Sequence, residues 1–316
     1  MSFPWPAGSA TGIGSMPGTD IAEAQRIVLG ELPDLPHLPE LPERGPGADM
    51  IGRGGAFLVE LPIELYAARW RVAARPGHDL RVALDYLDRD LDTMTELAGE
   101  YSGTFKVQVP GPWTLAASIN LPIGGAVLRD PGATRDLAAS LAEGVRLHIA
   151  SVRARLPHAS ILLQVDEPSL PAVLAGRVPT ESGFRTLRSV DVNVARSALT
   201  SVVEAAGVPV VVHCCAPSVP LSLLSSAGVA GVALDLSLVG DLDAVGEFLD
   251  LGLGLFAGVS GPSSAAMAST VRDLWRKLGF PATSLASQVV ITPPCGMARP
   301  AQLKALRDAG RRLSEE

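Results

Sequence analysis

His213, Cys214 and Cys215 end the apolar run Val208–Cys215, and the only other cysteine, Cys295, lies in the apolar run Gln288–Gly296. In an extended strand, residues i and i+2 point the same way. His213 and Cys215 therefore share a face, and Cys214 leaves on the other. Imidazole with thiolate is a zinc-preferring pair, and it needs at least one more ligand. Cys295 supplies that ligand if its run ends beside that of His213. Three protein ligands would leave a coordination position open, as catalytic zinc requires. The alternative is a buried cysteine pair beside a hydrogen-bonded histidine.

Carboxylates mark a second feature. Asp166 and Glu167 end the run Ser160–Pro168, and acids there are costly unless they meet a cation, a metal or a hydrogen-bond donor. A structural role, bonding loop backbone, is the competing reading. Glu60 ends the run Ala56–Pro62 and suits a ligand amine or a local salt bridge. Ser15 sits in the turn Ile13–Gly14–Ser15–Met16–Pro17, whose backbone N–H groups suit a carboxylate. His37, His78, His148 and His158 fall on loops or helices and are expected at the surface.

Eight short apolar runs must position these residues: Gly12–Pro17, Ala56–Pro62, Phe105–Gly111, Ser160–Pro168, Val208–Cys215, Gly231–Ser237, Leu253–Ser260 and Gln288–Gly296. Most are unbroken by polar alternation, as strands buried on both faces should be. Helical spacing lies between them, in Thr19–Gly30, Asp79–Tyr101, Asp130–Leu156, Glu181–Ala206, Asp241–Leu251, Ser263–Leu278 and Arg299–Leu313. Asp130, before Pro131, and Ser263 or Ser264 read as N-caps. Alternating strands and helices predict one α/β domain over residues 1–316, a (β/α)8 TIM barrel. A doubly wound sheet is the competitor, weakened because no Gly-x-Gly-x-x-Gly follows the first run. The proline-rich stretch 32–46 reads as a solvated insertion after the first helix, or as a cover over the barrel mouth. Barrel sites sit at the C-terminal ends of strands, which is where Ser15, Glu60, Asp166, His213, Asp235 and Cys295 fall.

Composition removes other classes. Hydrophobic residues make up 47% of the 316 and charged residues 19%, enough to fill a core. The net charge is −7 and no basic cluster appears, so nucleic acid is not an expected partner. No apolar stretch reaches the roughly 18–20 residues of a membrane span. No basic region precedes an apolar run near Met1, so a signal peptide is not expected. Three cysteines are too few for a disulfide framework and point to reduced thiols in a cytoplasmic protein.

Together these residues resemble the C-terminal catalytic domain of the cobalamin-independent methionine synthase family, over most of the chain. Ile13–Gly14–Ser15–Met16–Pro17–Gly18–Thr19 resembles its homocysteine-binding turn, and Gly111–Pro112–Trp113–Thr114 its Gly-Pro-x-Thr strand end. Gln164–Val165–Asp166–Glu167–Pro168–Ser169–Leu170 resembles its acidic strand-four motif. His213-x-Cys215 and Pro294–Cys295–Gly296 resemble its two zinc motifs. The resemblance implies a (β/α)8 barrel that transfers a methyl group to the thiol of homocysteine, forming methionine on Zn2+.

It further implies that His213, Cys215 and Cys295 hold the metal, with Asp235 matching the family's glutamate ligand, one methylene shorter. Asp166 and Glu167 are the catalytic acids. Asp166, with Glu60, meets the substrate ammonium; Ile13, Gly14 and Ser15 meet its carboxylate. The chain departs from the family elsewhere. Gly258–Val259–Ser260–Gly261–Pro262 holds no histidine where the family places its proton donor, and Ala172 stands near the position of a folate-contacting glutamate. The N-terminal half of the long enzymes, which helps hold folate, is not in this sequence. The methyl donor is thus expected to be a methyl-corrinoid or, less well used, methyl-tetrahydrofolate. Alkyl transfer to another small thiol, and a non-catalytic barrel binding an amino acid or a corrinoid, are the rival readings.

Overall fold

The computed structural model describes residues 3–296 and 298–315. Six of the eight apolar runs form one parallel sheet with its strands in sequence order. These are β3 (Thr104–Pro110), β4 (Ser160–Asp166), β5 (Val210–Cys214), β6 (Gly231–Asp235), β7 (Gly254–Gly258) and β8 (Val289–Thr292). A separate antiparallel hairpin, β1 (Ile63–Tyr66) with β2 (Arg69–Val72), precedes them. Helices follow the strands: α3 (His78–Ala98) leads into β3, α4 (Pro112–Ser118) and α5 (Pro131–Arg155) follow it, and α7 (Val192–Ala206) follows β4 after the short α6 (Leu170–Leu174). Asp130 caps α5 through Ala133 N–H, as expected from its place before Pro131. Ser263 likewise caps the helix Ser264–Leu278 through Ala266 N–H. The expected helix from Glu181 begins eleven residues later, because residues 176–190 form a loop with left-handed glycines at 176 and 183.

The first two runs are not regular strands. Residues 9–16 touch the free edge of β8 through a single parallel bridge, Ala10 to Ile291. Thr11 N–H donates to Ile291 O at 3.0 Å, and Ile291 N–H donates to Ser9 O at 3.1 Å. The run Ala56–Pro62, expected as a strand, is instead turn, directly after helix α2 (Met50–Gly55). The proline-rich segment takes its place at the β3 edge. His37 bridges Lys106 there, and Ser15 bridges Glu40. Leu38 N–H donates to Lys106 O, and Lys106 N–H donates to Pro36 O. A proline suits this position because only its carbonyl is used, so the missing N–H costs nothing.

That segment is therefore not a solvated insertion. Leu32, Leu35, Leu38 and Leu41, each followed by a proline, are buried, and so is His37. His148 is a second correction to the surface assignment. It lies in α5 on the face that packs inward, edge-on to the Phe57 ring at 4.8 Å between centroids. The 3.6-residue period of α5 carries it there with Leu141 and Val145.

Inside the curl of the sheet, side chains alternate in and out. Trp5, Leu35, Leu162, Val211, Ala233, Phe256 and Val290 fill the base. Trp5 closes it from below, with its indole N–H on Ser287 O at 3.1 Å and its ring edge-on to Phe256. Gly254 must lack a side chain, since a Cβ there would meet the Trp5 ring at 2.1 Å. No helix among the described residues is long and apolar enough to cross a membrane.

Two stability outcomes follow. Trp5→Ala empties the base and should cost about 3–5 kcal/mol in urea unfolding; a loss below about 1 kcal/mol would show that the base is closed by something else. For His148, burial, reinforced by Arg53 and Arg155, lowers the pKa to about 3. The folded value lies below the unfolded one, near 6.5, so stability is full above pH 6.5 and falls as pH drops toward 3. His148→Leu should flatten the fall in melting temperature between pH 6.5 and 4 relative to the unaltered protein. Parallel curves for the two proteins would contradict this assignment.

Candidate metal and thiol site

Strand register brings the site together. In the β4–β5 pairing Asp166 lies opposite His213, and interior parity sends both side chains into the mouth. Cys214 faces outward and is buried beside a cavity lined by Leu221, Leu234 and Val245. Cys215 follows the end of β5, and Cys295 follows Pro293 and Pro294 beyond β8. The ligand atoms of His213, Cys215 and Cys295 all lie within 4.8 Å of one another. The two sulfurs are 3.0 Å apart and share a thiol hydrogen bond. His213 is buried, Cys215 half-buried and Cys295 exposed, so the cluster is walled at the back and open toward solvent.

The donor set suits a metal. His213 Nδ1 is 2.8 Å from Asp166 Oδ1, while its Nε2 is buried with no hydrogen-bond partner. A carboxylate behind one ring nitrogen and a free lone pair on the other is the arrangement of a metal-binding histidine. One nitrogen and two sulfurs favour Zn2+. Burial pulls the His213 pKa down, but the hydrogen bond to Asp166 and the nearby Cys295 outweigh it and raise it to about 9. The hydrogen bond with Cys215 and the nearby His213 ring pull the Cys295 thiol well below its usual range, and the same sulfur pair drives Cys215 upward.

The acids separate. Asp166 Oδ1 also accepts from Gln164 Nε2 at 2.8 Å. Glu167, its neighbour, points the opposite way and caps α4. It accepts from Trp113 N–H at 2.9 Å, and from the Thr114 N–H and hydroxyl at 2.9 and 2.8 Å. Burial raises its pKa to about 7 against those bonds. Gly111 makes room for it, since a Cβ would meet Glu167 Oε1 at 2.3 Å. Asp235 caps the turn after β6, accepting from the Ser237 N–H at 2.9 Å and hydroxyl at 2.6 Å. It lines the outer cavity beside Cys214 and is not one of the three clustered ligands. Glu60 is exposed in a left-handed turn, φ 57°. It makes no hydrogen bond or ion pair with the other candidate residues.

The Ile13–Ser15 turn is held at both ends. Ile13 O accepts from Gln164 Nε2 at 2.6 Å, and Glu40 N–H donates to Gly14 O at 3.0 Å. Gly14 has φ 141°, and a Cβ there would crowd Glu40 Oε2 and Gln108 Nε2 at 3.0 Å each. Glu40 is the acid that reaches this turn. It pairs with Arg53 Nε at 3.2 Å, and burial, opposed by Arg53, raises its pKa to about 7. Glu40, Lys106 and Gln108 escaped the reading of the sequence, which named Gln164 only as part of the acidic motif. Lys106 and Gln108 alternate with Val107 and Val109 in β3, and Gln164 precedes Asp166 by two; this period of two within apolar runs was the available signal.

The family model for the cobalamin-independent synthase catalytic domain matches residues 9–311. The chain belongs to this family. No curated protein matches it in sequence. Among solved structures it shares its fold with a B12-independent methionine synthase from Shewanella sp. W3-18-1, in complex with selenomethionine. The TM-score is 0.60 at 12% identity, covering 98% of each chain. A methyltransferase from Methanosarcina mazei gives a TM-score of 0.57 at 13% identity over 99% of this chain and 94% of that one.

Zinc content tests the cluster. Purified protein should carry about one Zn2+ per chain, and Cys215→Ser or Cys295→Ser should remove most of it. Cys214→Ser should keep it, since that thiol faces the outer cavity. Full occupancy in the Cys215→Ser, Cys295→Ser double variant, read by elemental analysis, would refute the assignment.

Proposed function

We propose that this chain is a zinc-dependent methyltransferase that methylates the thiol of homocysteine to give methionine, at the mouth of an eight-position barrel. Six of its positions are β3 to β8 and two are the bridging segments 9–16 and 36–40. The observation that carries the reading is the cluster of His213, Cys215 and Cys295 backed by Asp166, in a chain of this family. Bound Zn2+ would lower the pKa of a substrate thiol, normally about 8.5, so that the thiolate is available at neutral pH. Asp235 is a fourth ligand only if its cap on Ser237 opens.

The chain's own residues do the rest. Asp166 Oδ1 is taken by His213 and Gln164, which leaves Oδ2 for the substrate ammonium. Glu40 supplies the second acid at the turn, a role that Glu60 does not have the placement to fill. The Gly14 and Ser15 N–H groups and the Ser15 hydroxyl take the carboxylate. The S–CH3 bond then forms as the bond from the methyl group to its carrier breaks. Glu167 acts through α4, by holding Trp113 and Thr114 in place beside the mouth.

For the donor, we favour a methyl-corrinoid over methyl-tetrahydrofolate. The loop after β7, residues 258–262, holds no histidine. A tertiary amine leaves poorly unless protonated, and loss of a general acid costs roughly 10²–10⁴ in rate. A cobalt-bound methyl group needs no proton to leave.

Two measurements check this. Asp166→Asn should weaken homocysteine binding at least tenfold, about 1.4 kcal/mol, in calorimetry; unchanged affinity would make the carboxylate purely structural. Methyl transfer to homocysteine should run faster with methylcobalamin than with methyl-tetrahydrofolate at matched concentrations. An equal or higher folate rate would overturn the choice of donor and leave the thiol chemistry standing. No transfer from either would overturn the function.

A further inference from the structure

Gln164 lies in β4 one interior position below Asp166, fully buried, and its side-chain amide has three partners. Nε2 donates to Asp166 Oδ1 at 2.8 Å and to Ile13 O at 2.6 Å, and Oε1 accepts from Lys106 Nζ at 2.6 Å. These partners allow one orientation of the amide. Turned over, Oε1 would face a carboxylate and a carbonyl, so both of those contacts would become repulsive. Lys106 is buried beside β4 with this amide as its one side-chain hydrogen-bond partner among the described residues.

The consequences run in two directions. Asp166 Oδ1 acts as acceptor toward Gln164, and the same oxygen meets His213 Nδ1 at 2.8 Å. Nδ1 must therefore carry a proton, and the lone pair of the neutral ring sits on Nε2, the buried atom without a protein partner. In the other direction, Gln164 fixes Ile13 O. In a trans peptide the C=O and the following N–H point opposite ways, so anchoring Ile13 O aims Gly14 N–H away from Gln164.

We propose that Gln164, its amide locked by Lys106, is a positioning residue that sets both the ring nitrogen His213 offers to the metal and the direction of the Gly14 N–H offered to the substrate carboxylate. This rests on the zinc and homocysteine reading above. A single buried amide thereby ties the thiol-activating end of the site to the end that reads the amino acid. Neither Gln164 nor Lys106 touches substrate or metal.

The test uses Gln164→Met, Gln164→Glu and Lys106→Met in the zinc-loaded protein. Outer-shell changes of this kind typically cost 10–100-fold in metal affinity or activity. We expect Gln164→Met to weaken Zn2+ at least tenfold in chelator competition and to raise KM for homocysteine at least tenfold. Gln164→Glu keeps an oxygen for Lys106 but sets a carboxylate against Asp166. It should show the same losses with a smaller drop in melting temperature than Gln164→Met. The His213 Nδ1–H resonance, which burial and the bond to Asp166 should keep slowly exchanging in the unaltered protein, should be lost in both. Lys106→Met should show the same changes in weaker form.

A purely structural Gln164 would lower only the melting temperature. Folded Gln164→Glu and Gln164→Met proteins with zinc affinity, KM and the Nδ1–H signal within twofold of the unaltered protein would overturn the inference. If Gln164→Met does not fold, Gln164→Glu and Lys106→Met decide by the same three readouts. An unaltered protein that binds no zinc would instead overturn the functional reading, and this inference with it.

Discussion

The hydrogen bond between His213 Nδ1 and Asp166 Oδ1 is the contact on which the mouth is organised. It joins the ends of two neighbouring parallel strands at a position set by their register, so the sheet itself places the two groups. A shift of one residue in either strand would turn one partner to the outer face. In that low-dielectric setting the bond is strong, and an unpaired carboxylate or imidazole would be costly. The open side of the ring then faces two cysteines carried by the ends of two strands three places apart in the sheet, so the cluster exists only when that part of the ring is assembled.

Below this level the interior changes character. The base is aliphatic and aromatic, and the next level carries Lys106, Gln108, Gln164 and His37. Burial pushes the Lys106 pKa down to about 7, with Asp166 and Glu40 pulling it back up. Such a layer adds little to stability and would be replaced by aliphatic groups if stability were the only demand. Its value is orientation: the Asp166 carboxylate and the Ile13 carbonyl only accept, and they leave the amide between them no choice.

Much of this was legible in the residues. The six central strands were readable because runs such as Gly-Leu-Phe-Ala-Gly, β7, are apolar on both faces. His213, Cys215 and Cys295 could be placed together because strand ends converge in a barrel. The first two positions were not legible, since bridges of one residue leave no periodic signature. Proline in Leu35–Glu40 argued against pairing, yet one edge contact needs only a carbonyl. Glu40, the acid that reaches the Ile13–Ser15 turn, was hidden in a segment whose composition looked like linker, while Glu60 lies exposed in a turn. His37 and His148 were misjudged because a single histidine carries no sign of which face it occupies.

Asp166 and Glu167 are adjacent, and the strand sends them to opposite sides of the wall. One meets His213 at the mouth and the other anchors the start of a helix outside it. The doublet is therefore a hinge of meaning between two compartments. Exchanging the two acids would conserve charge, composition and very nearly volume while leaving neither task done. To an aligner the swap looks silent, but in three dimensions it would be a frameshift without a deletion.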